Sequence, residues 1–369
     1  MHSLYFCRFV LSFYIIYILV AIVLFTFLAG FTLFAVYAER KVAGFVQDRL
    51  GPMETGKFGS LQTIADILKL LQKEFISPAS ADKVLFATAP VVVFVAVYLG
   101  FAAMPWAPEL APAALNLGLF YVIAIISIEA IGVLMAGWGS NNKFALLGSL
   151  RSVAQIVSYE IPAGLALISA VMVTQTLDMQ EITINQGILT DERLFFFGFW
   201  DVSEIGGFFA WNIFQAPHLI LAYIIYFVAS LAECNRAPFD IPEAESELVS
   251  GYHTEYGGLR FAFFFLAEYC LMFLVSMIGV VLFLGGWNTP LPNIGSWKLA
   301  EWTTGMAWGI IWVLIKTLTV VGVQILIRWT LPRLRVDQLM NLCWKVLTPT
   351  AFLCMAISGI WRIVVMVGN

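Results

Sequence analysis

Charge is scarce in this sequence. Only 12% of its 369 residues are Asp, Glu, Lys or Arg, about half the share found in a soluble domain. Hydrophobic residues make up 61%, and the mean hydropathy is +0.88. These values exclude a soluble fold. A net charge of -4 offers no basic surface for nucleic acid. Histidine is nearly missing too. Only His2, His218 and His253 occur, and no two share a helix face as a pair of haem ligands would. The five cysteines (Cys7, Cys234, Cys270, Cys343 and Cys354) lack the spacing of a zinc, iron–sulfur or redox dithiol site. No glycine-rich nucleotide fingerprint precedes a helix. No metal site is expected, and any electron carriers must sit on other chains.

Long apolar runs are what the chain does have. Eight are near the ~20 residues that cross a bilayer: roughly 9–37, 84–104, 115–138, 153–176, 216–233, 259–286, 303–327 and 346–368. The first lacks a small-residue cleavage site and is expected to span as a helix. The expected fold is all-α, a polytopic membrane helix bundle of about eight spans forming one integral membrane domain over 1–369. The loops after odd-numbered spans carry Arg40, Lys41, Arg49, Lys57, Lys69, Lys73, Lys83, Lys143, Arg151, Arg236, Arg260, Arg328, Arg333, Arg335 and Lys345. The other side has Arg8, Arg193, Lys298 and Arg362. This asymmetry predicts cytoplasmic odd-numbered loops and both termini outside.

The first loop is expected over Glu39 to Pro52. An amphipathic helix follows, about Leu61 to Phe75. Leu61, Ile64, Leu68, Leu71 and Phe75 line one face; Gln62, Asp66, Lys69 and Lys73 fall on the other. It fits a helix lying in the membrane interface or one covering its neighbours, and either could border a lateral opening for a lipid-like molecule. The stretch from Thr176 to Phe214 reads as a surface excursion.

The polar loop from Glu233 to Gly258 carries six carboxylates: Glu233, Asp240, Glu243, Glu245, Glu247 and Glu255. Its Pro238-Phe239-Asp240-Ile241-Pro242 frame restricts each proline and the residue before it, so a fixed conformation is expected. Glu243 and Glu247 would share a face if that stretch is helical. Within the spans lie Glu129, Glu160, Glu268 and Lys316. A charge at bilayer depth costs about 2.5–3.5 kcal/mol on insertion scales. These four should face the bundle interior, either as a proton relay or as structural ion pairs, for example Lys316 with one glutamate. Pro162 should kink the fourth span and free backbone groups near Glu160.

These residues together resemble the quinone-site membrane subunit of respiratory complex I, the H-type subunit of the bacterial enzyme. The matching motifs are Glu39-Arg40-Lys41 through Arg49-Leu50-Gly51-Pro52, Ser158-Tyr159-Glu160-Ile161-Pro162, Glu233 through Tyr256, and Phe261-Ala262 to Phe265-Leu266-Ala267-Glu268-Tyr269. The resemblance covers nearly the whole chain. Two places differ: His253 stands where many relatives have another polar residue, and the Thr176–Phe214 excursion is longer than usual.

The resemblance implies membership of a proton-translocating NADH:quinone oxidoreductase in the bacterial inner membrane. The chain would form the quinone-access tunnel with the peripheral arm and link quinone reduction to pumping. It would bind no cofactor itself; FMN and iron–sulfur clusters would sit on partner subunits. Partners would be the soluble quinone-site subunits that carry or flank the terminal cluster, and the small and antiporter-like membrane subunits. Glu39, Arg40, Gly44, Arg49, Phe239 and Asp240 would serve quinone binding. Glu129, Glu160, Glu233, Glu243, Glu245, Glu247, Glu255 and Glu268 would form the proton path, with Arg236 and Arg260 as charge partners. The alternatives are the membrane component of an energy-converting hydrogenase-type complex and a stand-alone proton-coupled transporter, which should show broken helices in repeated halves.

Overall fold

Apolar length dictates the architecture, a multi-pass helical membrane protein. A computed structural model describes residues 2–188, 195–198, 200–240, 249–293 and 297–366. Among the described residues, seven helices are long and apolar enough to cross a membrane: Ile15–Val46, Lys83–Ala103, Gly118–Gly139, Lys143–Thr174, Gly258–Phe283, Met306–Thr330 and Val336–Val364. An eighth, Pro217–Glu233, has 17 residues, the lower limit for a span. In chain order they are the eight expected spans, with Pro217–Glu233 the fifth. Contacts divide the chain into two units, Met1–Gln72 and Lys73–Asn369.

In the first unit the helix His2–Val46 runs past the expected end of the first span. Glu39, Arg40, Lys41 and Gly44 are therefore helical, and the loop begins only at Gln47. Nothing in Glu-Arg-Lys-Val-Ala opposes helix, so the polar residues extend it. The returning chain ends it. A Cβ on Gly44 would meet the Arg49 carbonyl oxygen at 2.8 Å and the Gly51 nitrogen at 2.9 Å. Lys41 Nζ donates to the Pro52 carbonyl at 2.7 Å, and Tyr37 Oη donates to that of Phe58 at 3.0 Å. The amphipathic helix is Gln62–Gln72. Arg40 pairs with its Asp66, while Leu61, Ile64, Leu68 and Leu71 are exposed.

The second unit is built around the sixth span, Gly258–Phe283. Of its most apolar stretch, 89% is buried. It packs on the second, fifth and seventh spans; the fourth packs on the third, fifth and eighth. Small residues permit these approaches, as membrane interfaces require. A Cβ on Gly139 would meet the Phe86 nitrogen at 2.9 Å, and one on Gly148 would meet the Gly251 Cα at 2.8 Å.

Prolines and serines shape the spans locally. The third span breaks into Gly118–Ile126 and Ile128–Gly139 at Ser127. The fourth continues as helix through Pro162. Proline has no N–H for the carbonyl four residues back, so that of Ser158 accepts from Cys343 Sγ at 3.1 Å instead. In the eighth span a π-helical segment, Leu342–Leu347, precedes Pro349, and Thr348 Oγ1 donates to the Cys343 carbonyl at 2.9 Å.

The Thr176–Phe214 excursion is not wholly on the surface. Its helix Met179–Ile184 buries Met179, Ile182 and Thr183. Gln186 donates to the Val281 carbonyl at 2.9 Å and accepts from the backbone N–H groups of Asn212 and Gly285. One buried glutamine thus ties three segments together, satisfying backbone groups that water cannot reach. A short hairpin, Phe195–Phe196 with Trp200–Asp201, follows.

Gly148→Val should push the Gly251 turn off the fourth span. Overpacking of this kind costs about 1–3 kcal/mol. The expected result is a lower midpoint of thermal unfolding in detergent, and an unchanged midpoint would contradict the close approach.

Candidate polar site in the membrane bundle

The fifth span ends at Glu233, and the chain then turns sharply. The amides of Cys234, Asn235 and Arg236 donate to the carbonyls of Ser230, Ala232 and Leu231. Gln155 of the fourth span clamps this turn, donating to the carbonyls of Ala232 and Phe239, both at 2.8 Å. Phe239 is buried and meets the Tyr159 ring edge-on at 5.4 Å. Tyr159 Oη donates to the Leu339 carbonyl at 2.9 Å, and the Leu334 amide donates to the Pro238 carbonyl. Asp240 pairs with Arg333 at 2.9 Å. The fixed conformation expected of this loop therefore holds for Cys234–Asp240. Glu243, Glu245 and Glu247 lie outside the described residues.

Beside this turn is a cavity inside the bundle. Its polar lining is Ser127, Glu129, Glu160, Tyr226 and Glu233, and its walls include Ile123, Ile156, Leu271 and Ile278. About 30 Å³ of it is open to water, room for about two molecules. The break in the third span puts the Ser127 hydroxyl between the Ile123 carbonyl and the Glu160 carboxylate. With one proton, it donates to one of them at a time. Tyr226 Oη donates to the Val275 carbonyl at 2.7 Å. Glu233 interacts electrostatically with both Glu129 and Glu160, and Cys234 lies within electrostatic reach of Glu129, Glu233, Glu268 and Arg236. Spans three, four, five and six thus bring their carboxylates to the start of the acidic loop.

Glu268 sits one step away on the sixth span. Tyr252 Oη donates to its Oε1 at 3.3 Å, and His253 Nε2 is 3.7 Å from the same oxygen. Glu255 accepts from Asn142 Nδ2 at 2.6 Å, anchoring the far end of the loop to the start of the fourth span. Burial pushes the neighbouring Tyr256 phenol up from its ordinary value, against the pull of Arg260.

The cations also make contacts of other kinds. Arg236 lies over the Tyr269 ring at 4.2 Å, and Arg260 over that of Phe75 at 3.8 Å, both cation–π geometries. The described partner of Asp240 is Arg333, which no sequence pattern singles out from nearer arginines. Lys316 is buried but stands apart from the glutamates. Its Nζ donates to the carbonyls of Leu284, Gly286 and Asn288 at 2.7, 3.0 and 2.6 Å, and it lies 4.2 Å from the Trp211 ring centroid. Three donors meet three acceptors just past the end of the sixth span, where the helix dipole favours a cation. The residues expected to bind quinone divide between the units: Glu39, Arg40, Gly44 and Arg49 in the first, Phe239 and Asp240 in the second.

Comparison with known proteins shows the family. The NADH dehydrogenase family model matches residues 18–359. The chain belongs to the H-type subunit family of NADH-quinone oxidoreductase. The NADH-quinone oxidoreductase H-type subunit 2 of Cytophaga hutchinsonii is 54% identical over 351 residues, covering 91% of this chain and 96% of that one. Its counterpart in Chlorobium luteolum is 56% identical over 349 residues, covering 94% and 90%. That of Anaeromyxobacter dehalogenans is 42% identical over 354 residues, covering 94% and 81%. As a member of this family, the chain is one of the membrane subunits of an oxidoreductase complex.

Lys316→Met should destabilise the bundle without touching the carboxylate cluster. Each buried carbonyl left without a donor costs about 1–3 kcal/mol, so several kcal/mol are expected. The check is thermal unfolding of the purified assembly; an unfolding midpoint equal to that of wild type would show the cage to be dispensable.

Proposed function

We propose that this chain is the quinone-site membrane subunit of a proton-translocating NADH:quinone oxidoreductase. It forms the quinone-access tunnel with the peripheral arm and links quinone reduction to pumping through its buried carboxylates. The observation that carries this reading is the convergence of Glu129, Glu160 and Glu233 on one cavity at the mouth of the acidic loop, in a chain of this family. Acids inside an apolar bundle are costly, and those that face a water-sized cavity mark ion or proton paths.

Quinone is the substrate, and FMN and iron–sulfur clusters sit on partner subunits. The partners are the soluble quinone-site subunits and the small and antiporter-like membrane subunits. Glu39, Arg40, Gly44, Arg49, Phe239 and Asp240 serve the quinone end, with Gly44 contributing through the close turn of its loop. Asp240, held by Arg333, and Phe239, wedged against Tyr159, set the direction in which the acidic loop leaves the fifth span. Protons pass by Glu243, Glu245, Glu247 and Glu255 to Glu233, Glu129, Glu160 and Glu268. Reduction of the quinone head takes up protons or moves charge. Interacting carboxylates titrate as a group, so on this reading a change at the loop redistributes protons along the path. The bacterial inner membrane holds the chain with odd-numbered loops in the cytoplasm, as the positive-inside asymmetry supports.

Extraction of the chain in mild detergent should recover a large assembly containing flavin and iron–sulfur clusters. It should catalyse NADH-driven, inhibitor-sensitive quinone reduction. A colourless, solitary chain would reject the proposal, and hydrogenase activity would select the hydrogenase-type alternative. Within an active assembly, Glu247→Gln should lower quinone reduction and pumping together by about tenfold or more, the scale of a lost proton-transfer group. Full pumping in that variant would sink the acidic-loop route.

A further inference from the structure

The turn Gly251–His253 is held in one place. Gly251 has φ +57°, and its Cα comes so close to the fourth span that a Cβ on Gly148 would stand 2.8 Å away. The His253 amide donates to the Ser250 carbonyl at 3.2 Å. The imidazole that follows is 4% exposed and boxed by the rings of Tyr252, Phe264 and Phe261 at 3.9, 5.2 and 5.6 Å between centroids. Its Nε2 lies 3.7 Å from Glu268 Oε1, and Tyr252 Oη donates to the same oxygen. A histidine and a carboxylate are therefore buried side by side, outside the lining of the cavity that Glu129, Glu160 and Glu233 share.

Aromatic packing alone does not explain a histidine here, because phenylalanine would fill the same box without an aligned ring nitrogen. The neighbouring elements carry further titratable groups: Lys143, Arg151, Tyr159 and Glu160 on the fourth span, Glu129 on the third, and Arg260, Tyr269 and Cys270 on the sixth. Tyr252, Glu255 and Tyr256 belong to the turn itself. Against these, Glu268 is the carboxylate that the imidazole faces.

We propose that His253 is the group through which Glu268 gains and loses its proton, with Tyr252 as the positioning residue. The proton moves from Nε2 of the imidazolium to Oε1, leaving a neutral ring and a carboxylic acid; the reverse step restores the charged pair. Closing 3.7 Å to hydrogen-bond distance needs a small ring movement or one bridging water. Histidine suits the role because its charge changes between about pH 5 and 8. His253 lies near the end of the acidic loop in sequence, between Glu247 and Glu255, so it joins that loop to the base of the sixth span.

This inference rests on the proton-translocating reading given above. The test uses the whole assembly in liposomes, with NADH-driven quinone reduction and proton uptake followed together. His253→Gln should assemble with normal flavin content and pump about tenfold or more slowly. Its pH profile should lose the limb near neutrality. Glu268→Gln should behave alike, and the double variant should pump no worse than the poorer single, because the two residues form one unit. His253→Ala should recover pumping on addition of imidazole. Wild-type pumping in His253→Gln, or losses that multiply in the double variant, would overturn the proposal. If His253→Gln does not assemble, His253→Asn decides by the same readouts. A wild-type assembly without NADH-driven quinone reduction would instead overturn the function on which the inference rests.

Discussion

A polar group inside hydrocarbon must find its partners within the protein. That constraint separates the buried charges of this chain into two kinds. Lys316 has three donors and meets three backbone carbonyls, with an aromatic ring below. Its hydrogen-bonding capacity is filled by groups that cannot move independently, so it serves as a fixed bolt at the end of the sixth span. Glu129, Glu160 and Glu233 face a cavity with room for water. Among the described residues, the side-chain donor on Glu160 is a serine hydroxyl that a nearby carbonyl also claims. A saturated charge is static. Carboxylates beside water and a divided donor can change protonation without breaking the fold.

Positions in the cluster are set by backbone events more than by side-chain attraction. Ser127, at the junction of the two helical segments, places a hydroxyl opposite Glu160 two residues before the buried Glu129. Pro162 leaves the Ser158 carbonyl for Cys343 and so ties the fourth span to the eighth. Gln155 clamps the turn after Glu233 through two carbonyls. Each device lies within two turns of helix of the carboxylate it serves. These contacts set the backbone around the carboxylates.

Much of this was legible in the sequence, and the exceptions have physical causes. Spans announce themselves because about 20 apolar residues have few other uses. The buried glutamates stand out against that background for the same reason. The extent of the first helix was not legible, because Glu39-Arg40-Lys41 suits helix and loop equally and the stop after Val46 follows the close approach of the returning chain, Arg49 and Gly51, to Gly44. The partners of Lys316 were invisible, since a carbonyl has no sequence signature. Arg333 was not legible as a partner of Asp240, because the chain returns beside it only after two further spans. The excursion looked superficial because its mixed composition hides Gln186, whose value lies in the backbone groups it satisfies.

The arrangement also bears on how one event could be felt along the whole polar lane. Glu233 lies close enough to Glu129 and Glu160 to interact with both, in surroundings that screen them poorly. The cluster meets the acidic loop at Glu233, where Gln155 and the Phe239–Tyr159 contact hold the backbone still. On the proposed reading, a charge arriving at the loop would meet a backbone held by these contacts and would be relieved by transfer of protons among the carboxylates. Lys316, whose Nζ is bound to three backbone carbonyls, has no free donor to join that exchange.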